Sequence, residues 1–351
     1  MRVISVRNVQ CALPEGIRLL RETGELRESR NGDVLVSPEP VTTVFQRPEE
    51  RVLFWPQRDA NPFFHLYESL WMLAGRNDVR PLSRYAKQML QYTDDGETLH
   101  GAYGYRWRRH FEIDQLSFII RQLKKDATDR RCVLQMWDAD HDLGRDSKDL
   151  PCNLMVTFQI NKHGLLDMSV FNRSNDIIWG LYGANAVHFS MLHDYMACSI
   201  GVPMGTYTHV SVNFHAYLSV LNKMLPIPTD DGYGRYRCAY ELNNVHPVNF
   251  IGSYLDDHIA GVLEQYPFGN IGLKGLPHFA RVALIMFHAH FIATDVDQKD
   301  LPRAIAFLEE QVNVHANPDA DWIVAGLQWL HRRLDRQVLR AAKDGETLSE
   351  A

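Results

Sequence analysis

The sequence predicts one α+β domain: a mixed β-sheet packed with helices and ending in a helical C-terminal extension. Three observations carry that prediction. Short β-favouring runs crowd the first 54 residues, strand and helix patterns interleave through the middle, and the tail from Leu276 to Lys343 keeps helical spacing. No repeat, low-complexity tract or linker divides the 351 residues, so a single domain is expected over 1–351, with the extension from about residue 270. At 45% hydrophobic and 23% charged, the chain can bury a large core, and disorder as its main state is excluded.

Between Val3 and Phe54 the runs VRNVQ, DVLVS, VTTVF and RVLFW, broken by Asn31-Gly32 and Pro38-Glu39-Pro40, predict strands and hairpins. NPFFHLYESLWMLAG then predicts a buried amphipathic helix carrying one acid, Glu68. Asn61 is its N-cap, Pro62 its first helical residue and Gly75 its C-terminal stop. A second helix is expected in DQLSFIIRQLKK, followed by a strand, RRCVLQMWD, whose first residues are Arg130 and Arg131. LMVTFQIN and LLDMSVFNR predict two strands joined at Lys162-His163-Gly164. GANAVHFSMLHDYMACSIG predicts a long helix ending at Gly201, and GTYTHVSVNFHAYLSVLNKML a strand that runs into a helix, because its alternation at Tyr207, His209, Ser211 and Asn213 gives way to helical spacing.

The charge balance, 37 Lys and Arg against 43 Asp and Glu, argues against a protein that coats nucleic acid. Five scattered cysteines without C-x-x-C spacing, a start without a secretory pattern and apolar stretches too short to span a bilayer point to a reduced, cytoplasmic chain with no membrane partner. No H-E-x-x-H occurs, and Pro151-Cys152 lacks the second cysteine of a zinc deaminase, so no metal is expected.

Three groupings can carry chemistry. Cys152, after a proline at a strand start, is either a small core residue or a thiol projecting into a cleft. Arg173 and Ser174 in NRSNDIIWG are either a polar strand end or a phosphate cradle, and Arg130–Arg131 raise the second reading. Asn185 is either a helix cap or an amide that reads one edge of a pyrimidine, with His215 and Tyr217 presenting polar tips nearby.

Taken in order, Pro-Cys, Arg-Ser-x-Asp, a downstream Asn and His-x-Tyr resemble the thymidylate synthase family. The resemblance runs from about Asn61 to Lys223 through HLYESLWMLAG, HGAYGYRWRR, DRRCVLQMWD, DLPCNL, FNRSNDIIWGLYGANAVHFS and VNFHAYL. It implies that Cys152 adds to carbon 6 of a pyrimidine nucleotide, that Glu68 relays protons through water, and that Tyr103 helps remove the carbon 5 proton. It also implies that Arg173 and Ser174 hold the phosphate, joined by Arg30 in preference to Arg27, and by Arg130 and Arg131 from the partner of a homodimer. His215 and Tyr217 would hold the sugar and Asn185 the base. Asp176 would orient the folate, with Trp71, Met89, Tyr92 and Gly180 on the folate side. The implied co-substrate is 5,10-methylenetetrahydrofolate.

Departures from the family pattern bear on the product. Cys152 is followed by Asn153 where the family has His, the loop before Asn185 (Tyr182-Gly183-Ala184) has one extra residue, Met89 and Tyr92 stand where tryptophans are usual, and Asn213 replaces an Asp. The chain ends AAKDGETLSEA instead of a short apolar terminus that shields the site. Weaker exclusion of water favours hydroxymethylation over methylation. Asn185 in place of an acid favours dUMP over dCMP, and the loop resembles that of phage-encoded relatives that modify DNA pyrimidines. The alternatives are a thymidylate synthase, a dCMP or CMP hydroxymethylase, and a nucleotide-binding protein without turnover; an RNA-binding role has only the basic pairs in its favour.

Overall fold

Eight strands make one mixed sheet in the order β1-β4-β8-β7-β6-β5, with a small β2–β3 hairpin added alongside β8. They are β1 (Arg2–Val6), β2 (Glu25–Arg27), β3 (Val34–Val36), β4 (Val41–Phe45), β5 (Val133–Gln135), β6 (Asn153–Ile160), β7 (Leu166–Asp176) and β8 (Met204–Tyr217). The computed structural model describes residues 1–224, 238–242, 244–265, 272–294, 299–315 and 319–349. β7 and β8 run parallel, as do β1 and β4, and the other pairs are antiparallel.

Helix α1 (Val9–Thr23) corrects the strand expected from VRNVQ. Asn8 caps it by accepting from the Cys11 N–H, and Leu13, Ile17 and Leu20 form a fully buried stripe at helical spacing. RVLFW is buried but is no strand. The Phe54 N–H and the Trp55 indole N–H donate to Gln10, and the Val52 N–H to the Tyr240 hydroxyl, so its polar groups are satisfied outside any ladder. The strand expected from Arg130 covers only Val133–Gln135, and both arginines precede it.

The other helices follow their local signals. In α2 (Pro62–Leu73), Asn61 accepts from the Phe64 N–H, and α3 (Gln115–Lys125) is capped in the same way by Asp114. α4 (Ala186–Ile200) is almost wholly buried, packs on α2 and stops at Gly201, whose φ of +92° is cheap only for glycine.

Among the described residues, four helices form the C-terminal region: α5 (Leu255–Gln265), α6 (His278–Thr294), α7 (Leu301–His315) and α8 (Asp321–Ser349). Residues 225, 295–298, 316–318 and 350–351, for which helix or tail readings were also made, lie outside the described residues. α8 packs on α2, with Trp329 edge-on to Phe63 at 5.5 Å, and its Arg332, Arg333 and Arg336 converge on Asp59. No described helix is long and apolar enough to cross a membrane.

Candidate active site

The inward-outward alternation of three adjacent strands slips at one level of the sheet. Two consecutive residues escape burial between buried neighbours at Leu154–Met155 in β6, Arg173–Ser174 in β7 and Val212–Asn213 in β8. The β6–β7 register shifts between Asn153 and Met155, while β7 and β8 stay paired through Asn172↔Ser211 and Ser174↔Asn213. Such a slip re-aims side chains, so the adjacent Arg173 and Ser174 both leave the buried face. It also leaves polar groups inside. Asn153 and Asn172 are fully buried, with the Asn153 side chain beside the Tyr103 phenol; among the described residues the Asn172 amide and Asn213 Oδ1 have no hydrogen-bond partner.

Cys152 lies at the edge of this seam. Its N–H donates to the Tyr103 hydroxyl at 3.3 Å, and Arg173 donates to the Pro151 carbonyl at 3.0 Å and the Leu150 carbonyl at 3.3 Å, fixing the Pro-Cys turn. The segment leading to it is braced from below by Arg106, fully buried, whose fork donates to both oxygens of Asp142 at 2.7 Å. Tyr103 can approach Cys152 because Gly104 sits against the end of α2: a Cβ there would lie 2.0 Å from the Met72 carbonyl oxygen. Burial pushes the Cys152 thiol above its ordinary value, Arg173 and Arg30 pull it down, and Asp149 adds to the rise. Burial also pushes the Tyr103 phenol up, with Cys152 adding to the effect, so it stays protonated at neutral pH.

The sugar and phosphate candidates gather at the same end of the sheet. β3 pairs with β8 through Val36↔His215 and Val34↔Tyr217, which carries the β2–β3 loop over the site. Asn31 in that loop donates to the Tyr217 hydroxyl at 3.4 Å, and the influence of Arg30 on Cys152 places its charge nearby. The rings of His215 and Tyr217 meet edge to face at 5.5 Å. Arg130 and Arg131 stand apart from this group. Both are exposed before the edge strand β5, and Arg131 is paired with Asp129 at 2.7 Å.

The opposite wall is the turn Ile177–Asn185, a π-type helical turn kinked at Tyr182 and Gly183. The extra residue is absorbed by anchoring Tyr182 in the core, where its hydroxyl meets Thr43 at 2.8 Å. Asn185 does not cap α4 with its side chain. It donates to Asn175 Oδ1 at 3.0 Å, and Asn175 in turn contacts His209 and Ser211. Gly180 faces this pair, since a Cβ there would come within 3.1 Å of Asn175 Oδ1 and 3.4 Å of Asn185 Nδ2. Asp176 accepts from the N–H groups of Ile178 and Trp179, and burial pushes its carboxyl up. Trp179 is 52% exposed, with the buried Arg58 guanidinium 4.2 Å from its ring centre. An open aromatic ring beside buried polar groups suits a flat heterocycle such as a pterin.

Among the other folate-side expectations, Met89 is partly buried against the core and Tyr92 is 48% exposed. Trp71 is corrected. It is only 2% exposed and its indole N–H donates to Asp78, so it is a core side chain that holds the following loop and has no surface to offer a ligand.

Glu68 lies on the face of α2 turned towards α4. There the structure adds a residue that sequence reading missed, His188, whose Nε2 is 3.0 Å from Glu68 Oε2. Its only signal in the sequence is its place one turn after Asn185. Among the described residues, two groups of potential metal ligands, His110–Asp138–His141 and Cys11–Cys238–Glu241, include none of the residues around Cys152.

Comparison with known proteins matches residues 15–265 to the family described as thymidylate synthase. The chain is 49% identical to the deoxyuridylate hydroxymethyltransferase of Pseudomonas phage M6, over 98% of this chain and 99% of that protein. It is 39% identical to the deoxyuridylate hydroxymethyltransferase of Bacillus phage SP01, over 65% of this chain and 57% of that protein. A putative thymidylate synthase of Methanothermobacter thermautotrophicus is 36% identical over 39% of this chain and 59% of that protein.

The electrostatics of Cys152 set its reactivity in the free protein. Alkylation by iodoacetamide is expected to follow a titration with its midpoint above the ordinary thiol value, and Arg173→Gln is expected to move that midpoint higher still. A midpoint at or below the ordinary value, or no movement in the variant, would contradict the assignment of Arg173 as the main cation acting on this thiol.

Proposed function

The chain belongs to the thymidylate synthase family, and from that premise we propose that it is a hydroxymethylase that converts dUMP to 5-hydroxymethyl-dUMP with methylenetetrahydrofolate. The observation that carries this reading is the convergence of Cys152, Tyr103, Arg173 and Asn185 on the slipped level of the sheet. The relatives named for that activity support it, and the first of them aligns along nearly its whole length.

The Cys152 thiolate attacks carbon 6 of the uracil ring, and the electron pair of the ring double bond makes carbon 5 nucleophilic. Arg173 orients the thiol turn and offers its remaining N–H groups to the phosphate, with Ser174 and Arg30 beside it. His215 and Tyr217 receive the sugar. Asn185 reads the base, donating to the carbonyl at carbon 4 and accepting from the ring N–H. The buried Tyr103 phenol lies where the carbon 5 proton departs. Methylenetetrahydrofolate supplies the one-carbon unit, and Trp179, Asp176 and Gly180 form the wall that would hold it, with Met89 and Tyr92 further out. Carbon 5 takes up that one-carbon unit, and loss of the carbon 5 proton together with cleavage of the carbon–nitrogen bond to tetrahydrofolate leaves an exocyclic methylene on the Cys152-bound nucleotide, to which water adds.

Arg130 and Arg131 serve the second site of a homodimer. Their exposure at the sheet edge, two strands from Arg173, supports delivery to a partner's phosphate. With phage proteins as relatives, the enzyme works in the cytoplasm of an infected host.

Mass spectrometry of the nucleotide after incubation with dUMP and methylenetetrahydrofolate is expected to show a hydroxymethyl group with tetrahydrofolate released. A methyl group with dihydrofolate would make the enzyme a thymidylate synthase. Cys152→Ala is expected to abolish product while dUMP still binds, and product formation by this variant would refute the nucleophile. Asn185→Asp is expected to shift preference towards dCMP; equal loss on both bases would mean that Asn185 does not read the base. Mixing Arg130→Ala chains with Cys152→Ala chains is expected to restore activity through one intact composite site, and no recovery would contradict shared sites.

A further inference from the structure

His188 and Glu68 face each other across the α2–α4 contact with their polar atoms unusually free. His188 is 5% exposed, and although its Nε2 lies 3.0 Å from Glu68 Oε2, it is off the hydrogen-bonding direction and has no hydrogen-bond partner among the described residues. The Glu68 side chain is 13% exposed, with no hydrogen bond to any described residue. A buried nitrogen left unpaired is costly, so its retention calls for a third group. One water alongside the pair, within reach of Nε2 and of the Glu68 carboxylate, would satisfy both.

The pair sits beside the groups that bind substrate. Asn185 is one helical turn before His188, and Phe189 packs its ring 6.0 Å from that of Tyr103, whose hydroxyl accepts from Cys152. His65 closes the far side, its ring 6.1 Å from that of His188, and the burial that holds it neutral marks a dry environment.

We propose that His188 and Glu68 hold the water consumed in the reaction and that His188 Nε2 is the base that deprotonates it. This rests on the hydroxymethylase reading. The water oxygen forms a bond to the exocyclic methylene carbon as its O–H bond breaks, and the proton goes to Nε2. The methylene π electrons move onto the carbonyl at carbon 4 as an enolate. The enolate re-forms the carbon 5–carbon 6 double bond and expels the Cys152 sulfur, which recovers the proton from the imidazolium. Glu68 stabilises the imidazolium while it exists. Nothing is oxidised or reduced in these steps.

The test separates events before water addition from the addition itself. With dUMP tritiated at carbon 5, His188→Gln is expected to release tritium in its first turnover at close to the normal rate, yet to form hydroxymethyl product at least about 10²-fold more slowly. The stalled nucleotide should remain attached to Cys152, visible in the mass of the intact protein, and an added small thiol should capture it at the methylene carbon. His188→Ala should behave in the same way. Parallel loss of tritium release and product in His188→Gln, or unimpaired product, would overturn the role of His188 while leaving the hydroxymethylase reading intact. A methyl product from the unmodified enzyme would overturn both.

Discussion

The slip shared by β6, β7 and β8 is the constraint on which the rest of the structure depends. A regular strand sends neighbouring residues to opposite faces, and no regular sheet would let Arg173 and Ser174 both leave the buried face beside a thiol at the start of the next strand. Skipping one residue at the same level in three strands achieves this without breaking the β7–β8 register. The cost is polar atoms without partners among the described residues, the fully buried Asn172 amide and Oδ1 of the half-buried Asn213. Unpaired buried amides are tolerated where a ligand or water completes them, so the flaw in the sheet and the site coincide.

Two buried cations hold the walls around that slip. Arg106 and Asp142 fix the segment that leads to Cys152, and removing one partner of such a pair typically costs about 3–5 kcal/mol because the other charge is stranded. Arg58 donates to the Ile178 carbonyl at 2.7 Å and stacks on Trp179, which sets the turn that carries Gly180 and Asn185. The next residue, Asp59, is gripped by Arg332, Arg333 and Arg336 of α8, and those arginines hold its carboxyl below the ordinary range against the effect of burial. The C-terminal region thus braces the turn that carries Trp179 and Gly180 from behind.

Much of this was legible in the sequence where the signal is local. α2, α4 and the β6–β7 hairpin follow from Asn61-Pro62, Gly201 and Lys162-His163-Gly164, because caps and turns are decided by a few adjacent residues. The ordered motifs carried the site as far as the relatives' pattern reached. What stayed hidden depends on partners distant in the chain. VRNVQ reads as strand by its β-favouring residues, whereas the stripe at Leu13, Ile17 and Leu20 just beyond it draws Val9 and Gln10 into a helix. Gln10 satisfies the backbone of Phe54 and the indole of Trp55, a contact that no window of sequence contains. Trp71 looked like a ligand-facing aromatic until Asp78 took its indole N–H, and His188 meets Glu68 only because α2 and α4 pack together.

Hydroxymethylation needs water at the one-carbon centre. The most direct test is to run the reaction in ¹⁸O-labelled water and read the label in the nucleotide product. The account predicts one labelled oxygen, on the hydroxymethyl group, in newly formed product. A methyl product without label would contradict it, and so would a hydroxymethyl product that carries unlabelled oxygen.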